Sequence, residues 1–263
     1  MVQRQQLQFF KNLQQWFIKT ILLSLLELSC GQIWADAPYL SDDPGPTDYQ
    51  HWAVYLYSFA QSFPSATISQ LPGLEVDWGI LPSLEVHVLV QAVGYFGNLS
   101  ALGVGDIEAG FKYQFISETA NRPQVAFAPL FELPTGNANF NLGNGAYWMT
   151  LPLWIEKTWD QGRWTSYGGG GYVVNTAAQG QNYFYGGWVL QRNINERLSV
   201  GSEIFSQGQI NANESNPLNA AFTIVDAGLS YALTKNFKWQ MSLGHSIVSE
   251  AQWVGYVGIY WES

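Results

Sequence analysis

Three histidines are the residues in this sequence best suited to acid–base or metal chemistry, and they lie far apart. They are His51, His87 and His245. None belongs to a His-x-x-x-His or Glu-x-x-His motif, the spacings that place metal ligands on one helix face. His245 precedes Ser246, but a hydrolytic pair needs a further group that orients the histidine, and the neighbouring sequence offers none. The sequence therefore predicts no enzyme, no metal site and no cofactor.

Two other motifs have the residue types of binding loops but not their context. Asp42, Asp43 and Asp48 carry carboxylates, yet their spacing lacks the glycine and the distant glutamate of a calcium loop. We therefore interpret them as part of a solvated lead-in. Gly103 and Gly105 precede a predicted strand, whereas the dinucleotide-binding fingerprint requires a helix at that point.

The composition predicts strands rather than helices. Of 263 residues, 47% are hydrophobic and 16% aromatic, while only 12% are charged, about half the charged fraction of an average soluble domain. The apolar and aromatic content argues against disorder, and 26 glycines and 12 tryptophans favour strands, turns and interfacial aromatic residues. After residue 35, the sequence contains no uninterrupted apolar run of the roughly 18 residues that a spanning helix needs.

Residues 1–35 are predicted to be a signal peptide. Basic residues precede or enter a short apolar stretch at 21–26, which is too short to anchor the chain in a bilayer. Cleavage is expected after Ala35, with cleavage after Ala37 and lipoprotein processing at Cys30 as less favoured alternatives. Because Cys30 is the only cysteine of the chain, the mature protein is predicted to contain neither a disulfide nor a reactive thiolate.

The charge of the remaining chain excludes nucleic acid as an expected partner. Without residues 1–35 the chain keeps 8 basic and 19 acidic residues, a formal net charge of −11. It has no basic cluster that would follow a phosphate backbone.

Alternation of apolar and polar residues predicts about twelve strands, each roughly ten residues long. The clearest is 106–115, in which the apolar residues from Ile107 to Phe115 share one face. The strands are expected to begin near residues 51, 70, 84, 105, 124, 148, 164, 183, 198, 221, 237 and 252. Connections after even-numbered strands are mostly short, whereas those after odd-numbered strands are generally longer, as at 135–147 and 210–219. This arrangement is typical of an up-and-down barrel whose short turns lie on the periplasmic side.

A soluble barrel or sandwich is the alternative for two-faced strands. The polar faces here are rich in Gly, Ser, Thr and Gln, and Trp and Tyr recur near the predicted strand ends, as in the aromatic girdles of membrane barrels. We therefore predict an all-β chain that forms a single up-and-down antiparallel transmembrane β-barrel of about 12 strands over residues 51–263. Residues 36–50 are predicted to be a periplasmic N-terminal lead-in that could plug the barrel.

Three stretches resemble the bacterial outer-membrane family named after the meta-pathway of phenol degradation. They are 38–43 (PYLSDD), 103–113 (GVGDIEAGFKY), and 129–136 with the Gly-Asn-Gly loop at 143–145. Their order and spacing are more specific than any one of them. The sequence departs from the family at Ser41, where threonine is expected, and at its end, where Ser263 replaces an aromatic residue. The resemblance implies an outer-membrane barrel with a role in the passage of small hydrophobic or aromatic compounds, and it implies no catalytic residues.

The sequence thus predicts an outer-membrane channel or transporter for small molecules, hydrophobic or aromatic ones among them. Its expected partners are outer-membrane lipid, a small-molecule solute and the barrel assembly machinery. A structural or adhesive barrel with a blocked lumen and a soluble secreted β-barrel binding protein are the alternatives.

If the apolar face of each strand contacts lipid, alternation turns one set of charged residues toward the lumen. The predicted lumen-facing residues are Glu75, Asp77, Glu85, Asp106, Glu108, Lys112, Glu132, Glu203, Asp226 and Lys238. Because acids predominate in this set, we expect a weak preference for cations.

Overall fold

The computed structural model describes residues 37–98, 100–177, 180–210, 220–249 and 251–263, so the predicted signal peptide lies outside the described residues. Within these ranges, antiparallel β-strands form one sheet. The strands are β1 (Trp52–Ser62), β2 (Thr67–Leu81), β3 (Leu84–Phe96), β4 (Ala101–Val104), β5 (Ile107–Ile116), β6 (Gln124–Phe127), β7 (Leu130–Leu133), β8 (Trp148–Trp159), β9 (Trp164–Asn175), β10 (Tyr183–Asn193), β11 (Leu198–Gln207), β12 (Phe222–Ala232), β13 (Phe237–Val248) and β14 (Trp253–Glu262).

The sheet closes into a barrel of twelve strands. β1 pairs with β2 on one side and with β14 on the other, and every other strand pairs with its neighbours around the ring. β4 and β5 both pair with β3 and form one barrel strand, interrupted at 105–106. β6 and β7 both pair with β8 and form another, interrupted at 128–129, where Pro129 has no N–H to donate to a ladder. The predicted fold class and strand number are confirmed.

The barrel is apolar on the outside and polar on the inside. Along β3, Val86, Val88 and Val90 are exposed, whereas Glu85 and His87, which alternate with them, are buried. A water-soluble barrel would place its apolar face inward, so this surface fits a lipid bilayer and contradicts the soluble alternative.

Aromatic residues mark the rim at which the chain enters and leaves the barrel. Trp52 and Trp78 are cross-strand partners with ring centroids 5.3 Å apart, and Trp159 pairs with Trp164 across a tight turn. Such a girdle positions a barrel at a membrane–water interface. Among the described residues, no helix is long and apolar enough to span a bilayer.

The two rims carry different connections. The turns 82–83, 160–163, 194–197 and 233–236 lie at the same rim as both ends of the barrel sequence, where Ser263 N donates to Trp52 O at 3.0 Å. The long connection 134–147 lies at the opposite rim, where β11 ends at Gln207 and β12 begins at Phe222, together with short connections such as 63–66.

A charge on the lipid-facing surface should destabilise the barrel. Val90 lies at the middle of β3 and is exposed, so we expect Val90→Arg to lower the free energy of unfolding by about 2–4 kcal/mol. Val90→Leu should leave it nearly unchanged. Urea unfolding in lipid vesicles, followed by the heat-modifiable mobility of the folded barrel, measures both variants. Equal stability of the two would contradict a lipid-facing position for Val90.

Candidate functional site

The chain that precedes β1 lies inside the barrel. The Asp42 carboxylate accepts a hydrogen bond from Lys112 Nζ on β5 at 3.0 Å, and the backbone N–H of Ser41 donates to Glu203 Oε1 on β11 at 2.7 Å. β5 and β11 are on nearly opposite sides of the twelve-stranded ring. Contacts with both walls therefore require residues 37–48, which we call the inner segment, to pass through the lumen.

Glu203 fastens the inner segment to the wall. Its two carboxylate oxygens accept hydrogen bonds from the backbone N–H groups of Leu40 and Ser41, at 2.8 and 2.7 Å, and the residue is only 1% exposed. Asp226 is its cross-strand partner on β12 and is also buried. Hydrogen bonds from N–H groups to an ionised acceptor are stronger than neutral ones, so Glu203 fixes the position of the inner segment.

Small residues on the same wall leave room for this segment. A Cβ atom at Gly187 would lie 2.3 Å from Ser41 Oγ, and one at Gly201 would lie 2.6 Å from the Tyr39 hydroxyl. The ring of Tyr39 packs edge-on against buried Tyr167, with centroids 6.5 Å apart. Burial also raises the pKa of the Tyr39 hydroxyl well above its ordinary value.

The inner segment returns to the rim along β2 and β3. The backbone N–H of Thr47 donates to Glu85 Oε2 at 2.6 Å. A Cβ atom at Gly79 would lie 2.1 Å from the carbonyl oxygen of Asp48, so only glycine permits this close approach. Gln50 N then donates to Gly79 O at 2.8 Å just before β1 begins.

A cavity of about 390 Å³ lies between the inner segment and the wall formed by β14, β1, β2, β3 and β5. This volume is within the range of small-molecule pockets. Its charged and ionisable wall residues are Glu75, Asp77, Glu85, His87, Glu108 and Lys112, and its aromatic ones are Tyr55, Tyr57, Phe59 and Tyr256. The cavity combines carboxylates with aromatic side chains.

The ten residues predicted to face the lumen are all buried or half-buried. Five of them border the cavity: Glu75, Asp77, Glu85, Glu108 and Lys112. Lys112 Nζ lies 3.0 Å from Asp42 and 3.7 Å from Glu85, so the one lysine of this group is surrounded by carboxylates.

The other five residues hold parts of the structure together. Glu203 and Asp226 are paired residues of the wall that contacts the inner segment. Lys238 Nζ lies 4.4 Å from the centroid of the Tyr260 ring, a cation–π contact. Asp106 and Glu132 contact the long connection after β7.

Asp106 anchors that connection rather than bordering the cavity. Its carboxylate accepts hydrogen bonds from the backbone N–H groups of Gly136 and Asn144, at 2.7 and 2.6 Å, and the Asn144 amide donates to Glu132. Thr135 Oγ1 donates to the Gly105 carbonyl at 3.0 Å. The connection 134–147 is thus fastened to the wall where the strand formed by β4 and β5 is interrupted.

His87 is a cavity residue that our sequence analysis did not place in the lumen. It is two positions from Glu85 on β3, so alternation alone puts both on the same face. His87 Nδ1 lies 3.7 Å from Glu85 Oε1, and one ligand atom each from His87, Glu75 and Asp77 lie within 4.8 Å of one another. The residue type of His87 suggests a catalytic or metal role, whereas its position in the alternation of β3 predicts the lumen.

His245 and Ser246 do not form a hydrolytic pair. They are neighbours on β13, so their side chains point to opposite faces. The His245 ring packs against Trp253 with centroids 4.6 Å apart, whereas Ser246 Oγ accepts a hydrogen bond from Gln252 N at 3.0 Å. Their roles are those of wall residues.

Loss of the Glu203 carboxylate should release the inner segment. With Cys30, the single native cysteine, replaced by serine, Leu40→Cys provides a probe whose backbone N–H still reaches Glu203. Adding Glu203→Gln should accelerate maleimide labelling by about tenfold, because a net hydrogen bond to a charged group contributes about 1.5–3 kcal/mol. The exposed Glu196→Gln is the matched control and should not change the rate. Equal labelling rates in all three proteins would refute the fastening role.

A protein family and several solved barrels are similar to this chain. The family described as "Putative MetA-pathway of phenol degradation" matches residues 74–261. No curated protein matches the sequence. The COG4313 outer membrane channel from Pseudomonas putida F1 has a TM-score of 0.69 and 13% identity, covering 88% of this chain and 100% of that chain.

Two further solved structures are similar. The KdgM porin in complex with disordered oligogalacturonate has a TM-score of 0.53 and 10% identity, covering 80% of this chain and 98% of its own. The translocator domain of the autotransporter NalP from Neisseria meningitidis has a TM-score of 0.51 and 8% identity, covering 80% and 87%. At these identities the similarity is one of fold. Because the family match extends from β2 to β14 and confirms the resemblance of the sequence motifs, the chain belongs to the family of the MetA pathway of phenol degradation.

Proposed function

We propose that this protein is an outer-membrane channel for small molecules, hydrophobic or aromatic ones among them. The observation that carries the proposal is the charged and aromatic cavity inside a barrel whose outer surface is apolar. Two of the structures with the same fold are named as an outer membrane channel and a porin. The solute crosses the lumen beside the inner segment, and the barrel assembly machinery remains the predicted route of insertion.

A purely structural barrel with a blocked lumen is the main competing function. Such a barrel would gain most stability from a close-packed apolar interior, since burying charged groups costs free energy. The wall opposite Glu203 instead keeps an open cavity with several carboxylates. A barrel of about twelve strands is also wider than the eight-stranded barrels that side chains alone can fill. These features favour passage over a structural role.

Transport rather than catalysis is the role that the lumen supports. Among the residues that the structure describes, the serine and histidine suggested by the sequence lie on opposite faces of β13. The cavity lining includes carboxylates, one lysine, one histidine, aromatic rings and leucines, which can bind and select a solute without changing its covalent bonds.

The orientation follows from the connections, since outer-membrane barrels have short periplasmic turns and longer extracellular loops. We therefore expect an impermeant maleimide to label Asn139→Cys on intact cells, because Asn139 is exposed in the long connection 134–147. Lys235→Cys, in the tight turn 233–236 at the other rim, is the paired control and should be labelled only after the outer membrane is opened. The reverse pattern would overturn the proposed orientation.

The carboxylates that border the cavity should make the channel prefer cations. Glu108 borders the cavity, whereas Asp106 is engaged by the loop amides. In a salt gradient across a planar bilayer, we expect a reversal potential of cation-selective sign, shifted toward zero in Glu108→Gln. Glu196→Gln removes the same charge from an exposed turn and should leave the potential unchanged. Anion selectivity, or an equal shift in both variants, would contradict the proposed pathway.

A further inference from the structure

Tyr57 lies against the wall because glycine is its partner on both sides. In the sheet register its neighbours are Gly73 on β2 and Gly258 on β14. A Cβ atom at Gly73 would lie 2.4 Å from Tyr57 Cζ, and one at Gly258 would lie 2.9 Å from Tyr57 Cβ. A larger residue at either position would push the ring into the lumen. The two glycines thus help to keep the cavity open.

Tyr256 extends this aromatic surface. Its ring stacks with that of Tyr57, with centroids 5.4 Å apart and an interplanar angle of 21°. A Cβ atom at Gly258 would also lie 2.6 Å from the Tyr256 hydroxyl. Both tyrosines border the cavity, so one side of it is a stacked aromatic pair.

Carboxylates stand beside this aromatic pair. Glu75 follows Gly73 by two residues on the same face of β2, and Glu108 lies on β5. Both border the same cavity as Tyr57. Gln91 Nε2 donates a long hydrogen bond of 3.5 Å to Glu108 Oε1.

Acidic groups outnumber basic ones around this cavity. Among the described residues that border it, Lys112 is held by Asp42 and Glu85, and His87 lies between Glu85 and the pair Glu75 and Asp77. The described lining has five carboxylates, one lysine and one histidine, so the cavity is predominantly acidic. Charges repel more strongly in a confined space of low dielectric constant than in water, so an entering cation would relieve this repulsion.

We propose that the cavity binds a monocationic organic amine with an apolar body. The ammonium group lies between Glu75 and Glu108, and the apolar body packs on Tyr57 and Tyr256. Aromatic rings attract ammonium groups through their quadrupole, and carboxylates supply acceptors for its N–H donors. Neutral solutes gain only the aromatic contact, and anions are repelled. This inference rests on the proposed function, because it names the solute class that the lumen selects.

Three ligands of similar shape test the proposal: benzylamine, benzyl alcohol and benzoate. Binding to the purified full chain in non-ionic detergent at neutral pH is measured by isothermal titration calorimetry. We expect benzylamine to bind at least about tenfold more tightly than the other two, the factor that roughly 1.4 kcal/mol provides. Similar affinities for benzylamine and benzyl alcohol would overturn the proposal.

Variants locate the site. Glu75→Gln with Glu108→Gln should weaken benzylamine binding by about tenfold and leave benzyl alcohol unchanged. Glu196→Gln should bind like the unaltered protein. Glu75→Asp keeps the charge and should retain the preference for the amine if the barrel shows its normal heat-modifiable mobility. An unchanged amine preference in the double variant would contradict the assignment.

Three further outcomes distinguish an amine site from a metal site and from a channel without amine preference. Binding of Zn²⁺ alone, without binding of benzylamine, would overturn the amine site in favour of a metal site at Glu75, Asp77 and His87. Ion conductance in planar bilayers without any amine preference would refute this inference and leave the channel intact. Amine binding without conductance would instead contradict the proposed channel function.

Discussion

The pairing of β1 with β14 is the interaction on which the rest of this structure depends. It runs from Ala53 opposite Glu262 to Ser62 opposite Trp253 and turns an open sheet into a ring. A bilayer offers no water to unpaired N–H and C=O groups, so a spanning sheet must close. Closure also makes the two faces of each strand chemically different, because one contacts lipid and the other borders the lumen. Apolar side chains such as Val90 contact lipid, and charged side chains such as Glu85 have only the lumen to occupy.

Buried polar side chains are accommodated differently on the two sides of the lumen. On the wall of β10 to β13, the inner segment brings backbone N–H groups to Glu203, and Ser242 Oγ donates to the Pro38 carbonyl at 2.7 Å. Small residues such as Gly187 make that contact close. On the opposite wall the segment contacts Lys112 and Glu85, and a cavity bordered by carboxylates lies beside it. The same inner segment therefore stabilises one half of the lumen and defines the solute space in the other half.

Much of the barrel could be predicted from the sequence, because a period of two determines which side chains share a face. The strand beginnings and the buried positions of residues such as Glu75 and Lys238 follow from that period. It does not determine partners, which depend on distances across the lumen. Nothing in the spacing of Asp106 indicated that loop amides would surround it. The path of the inner segment was equally hidden, because residues 37–48 have no strand period and are held by contacts from distant strands.

We propose that the inner segment, fastened by Glu203, limits passage through the lumen. Single-channel recording in planar bilayers tests it directly, by comparing the unaltered protein with Glu203→Gln and with the control Glu196→Gln. The account predicts a larger conductance or more frequent openings in Glu203→Gln alone, because its inner segment leaves the wall. The labelling experiment first establishes that Glu203→Gln exposes Leu40→Cys. Identical currents in all three proteins under those conditions would then contradict the proposed role of the inner segment.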